Sequence, residues 1–396
     1  MKRFFLLILA SAALLGASAA PVKTYEVKSP DGRLALVLTA GERLSFTVAR
    51  DGETLVAPSE MALTLSTGEV LGESPRVRSA RRRAVTETID APLYRQSRFD
   101  AAYNELDLRL RGDYGILARA YDDGVCYRFY TERDGELTIV DETAQLNFEG
   151  DPSAYIPYSK TEIPMRTSFE NTYEYAPLSK FRTQTVAFMP VLVDLGERGY
   201  VLYTESDVEA YPGVYLTYDK EAKGFAARFA ECPTETSLTK RFQDVVERSA
   251  DYIARVDGRR SYPWRIVAYA ATATELPVND MVWQTAEASR VADASWVRDG
   301  KIAWDWWNNW GVYGVDFKSG INTETYKYFI DFAAANGIEY VALDEGWGVR
   351  DGDVMHVVPE IDLPEIVSYA REKKVGIILW VVAKVLDDKL EEACRY

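Results

Sequence analysis

Residues 301–310, KIAWDWWNNW, hold four of the chain's nine tryptophans, with Asp305 among them. Further along, Asp344-Glu345-Gly346-Trp347 sets acids beside indole again. Indole offers a large rigid apolar face with one N–H donor, and a carboxylate accepts hydrogen bonds from paired hydroxyls. A pyranose ring has C–H-rich faces and a rim of hydroxyls, so this mixture of side chains suits a sugar. Packing accounts for part of the cluster. Alternation along a strand turns roughly two of Trp304, Trp306, Trp307 and Trp310 toward neighbouring helices. Asp305 reads equally well as a buried hydrogen-bonding group or as a ligand contact, and Asp344-Glu345 equally well as a turn or helix cap.

Other chemistries are excluded by composition. The one histidine, His356, has no G-x-S-x-G nucleophile elbow to serve. Cys126, Cys232 and Cys394 form no C-x-x-C pair, which rules out a metal finger or a thioredoxin-type centre. If the protein is exported, one disulfide is allowed, and the sequence leaves its pair open. Carboxylates, or oxygen-loving metals held by them, remain as the agents. One further cluster, TSFENTYEYAP with Glu170, Asn171 and Glu174, has oxygen ligands of the kind calcium takes, but lacks EF-hand spacing. On that basis alone it reads as exposed loop polarity.

The elements that must position these residues change character along the chain. From Lys23 to about Ala270 short β-branched and aromatic runs such as RLALVLTA, ELDLRLRG and RIVAYA alternate with turn signals. Asp51-Gly52, Asp123-Gly124, Asp134-Gly135 and Asp257-Gly258 are among those signals. A large antiparallel β-sandwich over 20–275 is expected. NDMVWQTAEASRV then predicts a helical connector within 276–300. From 301 the order is strand, helix, strand, helix, strand, which implies parallel strands joined by crossover helices. Lys301–Trp306 is the first strand. Thr323 is the expected N-cap of a helix whose stripe is Tyr326, Phe329, Ile330 and Ala333, with Gly337 just past its end. IEYVAL and VGIILWVV are the later strands, and LPEIVSYAREKK is the helix between them. A closed (β/α)8 barrel takes ~250 residues. The 96 residues from 301 to 396 hold about three β/α units. Between a small open α/β domain and a truncated TIM barrel, the bare edges of so small a sheet favour the barrel.

The N-terminus reads as a signal peptide, 1–19. Lys2 and Arg3 precede an apolar run from Phe4 to Leu15, followed by Ala17-Ser18-Ala19. That run is too short to span a bilayer, and no later stretch is apolar enough to do so. Without Lys2 and Arg3, 44 basic residues face 61 acidic ones, a net charge of −17. Such a surface excludes nucleic acid and anionic lipid as partners. The exception, Arg76-Val77-Arg78 with Arg81-Arg82-Arg83, reads as a solvated strand edge.

Taken together, the chain resembles glycoside hydrolase family 97. The resemblance is carried by RAYDDGVCYRFY (119–130), SFENTY (168–173), TESDVEAYPGVYL (204–216), YPWRIV (262–267), the stretch from Lys301 to Trp347 and VVPEIDLPEIVSYAREKKVGIILW (357–380). It implies an N-terminal β-supersandwich, a catalytic (β/α)8 barrel and a small C-terminal β domain. It also implies exo-acting hydrolysis of α-glucosides or α-galactosides, with calcium as cofactor. The sandwich glutamate that reaches the calcium corresponds to Glu170, with Asn171 beside it. Trp307 resembles a sugar-contacting position. From their place at the carboxyl ends of the expected strands, and not from the resemblance, Asp305, Asp344, Glu345 and Trp347 complete the expected substrate-binding set.

The family's acid and its base or nucleophile come from the fourth strand and beyond. No catalytic residue is therefore expected in this chain; the pair is expected downstream of Tyr396 and the 396 residues alone are expected to be inactive. The calcium shell would be underfilled for the same reason. The stretch VVPEIDLPEIV resembles the α-glucosidase branch of the family, and the signal peptide with the resemblance implies export, periplasmic or secreted, so the expected protein is an exported α-glucosidase acting on an oligosaccharide or other α-glycoside. The alternatives are an α-galactosidase of the same family or a carbohydrate-binding protein without turnover.

Overall fold

The computed structural model describes residues 22–160 and 165–396. The expected signal peptide, 1–19, lies outside the described residues. No helix among the described residues is long and apolar enough to cross a membrane. The chain forms two compact units. One runs to Cys232 and includes Asp251–Ala288; the other joins Pro233–Ala250 to Ser289–Tyr396.

The first unit is an antiparallel β-sandwich in which seventeen strands are connected by hydrogen bonding. Alternation drives it. In Leu34–Ala40, residues Leu34, Leu36, Leu38 and Ala40 are buried and those between them are half-exposed, as a sheet with one face on a core requires. The hairpin to Glu53–Leu65 turns at Asp51 and Gly52, both at positive φ, 50° and 88°. That geometry is a type I′ turn, which an Asp-Gly pair tolerates and whose twist matches the strands it joins.

One strand organises the rest. Gly124–Asn147, 24 residues long, pairs with Tyr114–Tyr121, Glu53–Leu65, Gly224–Arg228, Ala254–Ser261 and Trp264–Ala270. Here two expected turns prove otherwise. Asp134-Gly135 and Asp257-Gly258 face each other at a register shift between paired strands. Gly135 has φ +77°, and a Cβ on Gly258 would lie 2.6 Å from the Arg133 carbonyl oxygen. These glycines serve a β-bulge, where two backbones approach closely, and chain reversal does not occur there. The arginine-rich strand Val77–Asp90 is exposed along most of its length, as expected, and Arg83 reaches back to the buried Glu105 at 2.5 Å.

Arg265, in YPWRIV, is buried with two carboxylates. Its Nε and Nη2 donate to Glu142 at 2.8 and 2.7 Å, and Nη1 donates to Glu205 at 2.5 Å. Burial alone would lower the Arg265 pKa, but Glu142 and Glu205 outweigh it and the net shift is upward. Next in sequence, Trp264 carries the Arg119 and Arg128 guanidinium groups over its ring at 4.7 and 4.4 Å. Three of the family-like motifs thus meet in one buried, charged cluster.

The expected helical connector, 276–300, is mostly not helical. Only Met281–Thr285 is α-helix, preceded by a 3-10 stretch, Ala273–Val278. Met281 packs into the core beside Trp264, and Thr285 shares a 2.7 Å hydrogen bond with Ser206, so this short helix belongs to the sandwich. Residues 289–300 run as turns and irregular chain in the second unit.

In the second unit three strands, Ile302–Trp304, Tyr340–Leu343 and Gly376–Leu379, pair in parallel in that order. Helices Thr323–Ala335 and Leu363–Lys373 make the crossovers. The predicted stripe Tyr326, Phe329, Ile330 and Ala333 is buried. The N-cap falls one residue before the expected Thr323: the Asn322 side chain accepts from Thr325 N at 2.9 Å. Gly337, at φ +61°, follows the helix end as expected. The hairpin Pro233–Leu238 with Asp244–Ser249, which the β-rich sequence had placed in the sandwich, clusters with this unit.

Replacing Arg265 by Met would leave Glu142 and Glu205 buried without their cation. Urea unfolding followed by circular dichroism is expected to show the sandwich destabilised by about 3–5 kcal/mol; an unchanged midpoint would refute the assignment.

Candidate active site

The first parallel strand is shorter than its sequence suggests. It ends at Trp304, and Asp305–Asn308 forms a 3-10 turn. Asn309 and Trp310 follow at φ 50° and 53°, which swings the chain back. Strand alternation therefore does not set the direction of the later indoles. They pair edge to face instead. Trp304 meets Trp307 at 4.9 Å between centroids, and Trp306 meets Trp310 at 5.3 Å. Trp304 and Trp310 are half-buried, while Trp306 and Trp307 are exposed, Trp307 by 80%. An indole that open is a flat platform for an apolar ring face.

Asp305 is inaccessible to solvent, which corrects its reading as a substrate contact. Its Oδ2 accepts from the Tyr326 hydroxyl at 2.7 Å, and both oxygens accept from the Asp344 backbone N–H at 3.2 and 3.3 Å. One carboxylate thus ties the end of the first strand to the crossover helix and to the end of the middle strand. Burial raises the Asp305 pKa, and its hydrogen bonds from Tyr326 and Asp344 oppose that rise in part.

Asp344 is nearly buried, and its Oδ1 accepts from the Glu345 backbone N–H at 2.6 Å. Glu345 is partly exposed and doubly paired, with Arg241 of the hairpin tip and with Arg350 at 3.0 Å. Trp347 is buried, and its Nε1 donates to the Trp380 carbonyl at 2.8 Å, which pins this loop to the end of the third strand. It packs in the core of this unit and also lines the pocket beside it.

The structure therefore brings Asp305, Asp344, Glu345 and Trp347 together at the carboxyl ends of parallel strands, where sites in such sheets collect. Sequence reasoning missed Arg241. Nothing local links it to a partner 104 positions later, and the β-hairpin that carries it resembles the sandwich strands around it.

Glu170 and Asn171 lie exposed in a loop of the first unit, and Asn171 Nδ2 donates to the Tyr158 carbonyl at 3.4 Å. Among the described residues no group of three or more His, Cys, Asp or Glu is gathered as for a metal. Calcium takes 6–8 oxygen ligands; these two side chains by themselves do not make such a shell.

Replacing Asp305 by Ala leaves the Tyr326 hydroxyl and the Asp344 N–H without an acceptor. A loss of about 3 kcal/mol in the second unit is expected from urea unfolding. The folded-state pKa of Asp305 lies above the unfolded value near 3.8. Its contribution is therefore full below that pH and falls as pH rises through the folded pKa. Asp305→Asn keeps one acceptor and is expected to flatten this part of the stability profile. A wild-type slope retained in Asp305→Asn would contradict the burial argument.

Comparison with known proteins supports the architecture. The family model described as Glycosyl-hydrolase 97 N-terminal matches residues 27–287, and that described as Glycoside hydrolase 97 matches residues 306–396. A curated relative from Bacteroides thetaiotaomicron, described as a retaining alpha-galactosidase, is 40% identical over all of this chain and 61% of its own length. A probable retaining alpha-galactosidase from Streptomyces bingchenggensis is 30% identical, over 90% of this chain and 52% of its own. The chain thus spans half to three-fifths of the relatives it matches. The solved structure of a Glycoside Hydrolase Family 97 enzyme from Pseudoalteromonas sp. strain K8 in complex with acarbose shares the fold, with TM-score 0.72 at 19% identity, covering 89% of this chain and 53% of that one. The crystal structure of a beta-arabinopyranosidase gives TM-score 0.70 at 22% identity, covering 90% and 55%. With both halves of the described chain matched in order, the protein belongs to glycoside hydrolase family 97.

Proposed function

We propose that this chain is the sandwich and first barrel portion of an exported, exo-acting, retaining α-glycoside hydrolase with a preference for α-galactosides. The observation that carries the proposal is the rim of acids and indoles at the carboxyl ends of parallel strands, in a family 97 chain. The stretch VVPEIDLPEIV had favoured α-glucosides. Two curated relatives described as retaining alpha-galactosidases, one at 40% identity, support galactosides and retention instead. The three parallel strands are proposed as the first of a (β/α)8 barrel. Ile302 and Ile378, apolar and exposed on the two outer strands, suit a sheet that other strands would cover.

In this reading Trp307 packs against a sugar face, and Glu345 orients a hydroxyl with the oxygen lone pairs its arginines leave open. Asp305 and Asp344 hold the frame. A retaining pair needs two carboxyl groups ~5–5.5 Å apart on either side of the scissile bond. None of the rim acids suits that work: Asp305 is sealed from solvent, Asp344 nearly so, and Glu345 is clasped by two guanidinium groups. The acid and the nucleophile are accordingly assigned to neither Asp305, Asp344 nor Glu345, and the 396 residues alone are proposed to bind without turnover. Titration calorimetry is expected to show methyl α-galactoside bound in preference to methyl α-glucoside, with binding about tenfold weaker in Trp307→Ala, and no p-nitrophenol released from p-nitrophenyl α-galactoside. Glucoside preference would overturn the substrate reading, and robust turnover would place the reacting carboxylates within this chain.

Export to the periplasm or beyond is part of the same proposal, supported by the basic, apolar and small-residue order of 1–19. N-terminal sequencing of the mature protein should begin at Ala20; retention of Met1 would refute it.

A further inference from the structure

The arginine-rich strand Val77–Asp90 of the sandwich takes no part in the rim. Among the described residues it pairs in register with Arg98–Leu110 alone, so its other edge is open. Arg78, Arg81, Arg82 and Arg83 lie on it, Arg76 just before it, and all five are exposed. In a chain with a formal net charge of −15, each would be expected to find a carboxylate. Arg83 does so, with Glu105. Among the described residues Arg76, Arg78, Arg81 and Arg82 form no ion pair. Arg81 stands opposite Asp107 in register, but the oxygens of Asp107 are taken by the Tyr130 hydroxyl at 2.6 Å and by Arg109 at 3.4 Å.

Beside this strand lies a cleft of about 280 Å3, walled in part by Lys28, Arg82, Arg83, Asn104 and Glu105. Two side chains fix its shape. Arg82 Nε donates to the Glu26 carbonyl at 3.0 Å, and Asn104 Nδ2 donates to the Lys28 carbonyl at 2.8 Å. Among the described residues no acceptor meets the two terminal nitrogens of Arg82. Glu105 shows what guanidinium groups take here. Its carboxylate is buried and bridges Arg83 Nε at 2.5 Å and Arg119 Nε at 2.9 Å. Glu105 is thus neutralised twice over, and Glu26 has Lys28 at 3.6 Å. The charge left over at the mouth of the cleft is positive.

We propose that this strand and its cleft are a docking site for a linear glycan that carries carboxylates, a uronic-acid chain. Shape and charge select that class. From Arg76 to Arg83 an extended strand covers about 23 Å, a narrow positive line on a molecule of net negative charge. Fixed charges act over ~8 Å at physiological salt. A partner lying along the line therefore meets attraction alone, whereas a broad anionic surface, lipid or protein, brings its remaining charge against an acidic chain. Single-stranded nucleic acid is also linear, but its bases stack on aromatic side chains, and residues 76–90 contain none. Carboxylates suit the guanidinium fork, which holds them bidentately. Arg133 holds Glu69 in that way in the same sandwich, through both terminal nitrogens at 2.7 Å. The choice of a glycan rests on membership of a glycoside hydrolase family, and on no role assigned to the rim acids.

Titration calorimetry on the full 396-residue chain tests this with tetragalacturonate, its uncharged methyl ester, and a sulfated tetrasaccharide and a thymidine oligonucleotide of equal charge. Tetragalacturonate is expected to bind, and to weaken about tenfold from low to physiological salt; the ester is expected not to bind. Arg78→Gln combined with Arg81→Gln is expected to weaken tetragalacturonate about tenfold. Neither side chain is paired in the folded chain, so that loss does not report unfolding. Arg82→Gln should weaken it likewise through the cleft, with circular dichroism melting to confirm the fold. Absent binding of tetragalacturonate, equal binding of its ester, or unchanged affinity in both variants overturns the site. Tighter binding of the sulfated sugar or of the oligonucleotide overturns the uronic-acid chain as its occupant. Methyl α-galactoside, titrated beside them, reports on the rim separately: its binding is expected to be unchanged in these variants, and its failure to bind would count against the rim reading and leave this site standing.

Discussion

A carboxylate sealed from water organises the strand ends of the second unit. Asp305 cannot be left unpartnered where it lies, because a buried polar group without hydrogen bonds costs more than most single contacts return. Its partners are a tyrosine on the crossover helix and the first backbone N–H beyond the middle strand. Satisfying it fixes where that strand stops and where Asp344 and Glu345 begin. The side chains that face solvent at the rim are thus set by one that does not. The sandwich follows the same rule with the signs reversed: buried Arg265 is satisfied by Glu142 and Glu205, and strands distant in sequence are held together by that need.

Much of this was legible in the sequence. Periodicity found the change from antiparallel strands to alternating strands and helices, and it found the buried stripe of the first crossover helix residue by residue. The Asp51-Gly52 turn followed from composition. Asp134-Gly135 and Asp257-Gly258 carry the same local signal yet form a bulge, because whether such a pair reverses the chain depends on the strand it faces. The connector failed for a related reason. Its apolar residues are real, but Met281 is used to fill a gap beside Trp264, and that takes a single short helix.

The site was legible in type and less so in role. The acids and indoles at 304–310 and 344–347 do converge on one end of the sheet. Which of them meets water was not readable. The strand ends at Trp304, earlier than its apolar run, and the 3-10 turn and left-handed residues that follow expose Trp307 while Asp305 turns inward. Arg241 was invisible because its value lies in a contact between a β-hairpin and a loop far along the chain. Such a contact leaves no periodic trace in either segment.

The central claim is that Asp305 holds the Asp344 amide. Hydrogen exchange resolved at single amides tests it directly. The Asp344 N–H is expected to exchange as slowly as that of Val341 in the strand before it. Exchange at the rate of an open loop amide such as Gly352, with Val341 still protected, would show that the buried carboxylate does not set the rim.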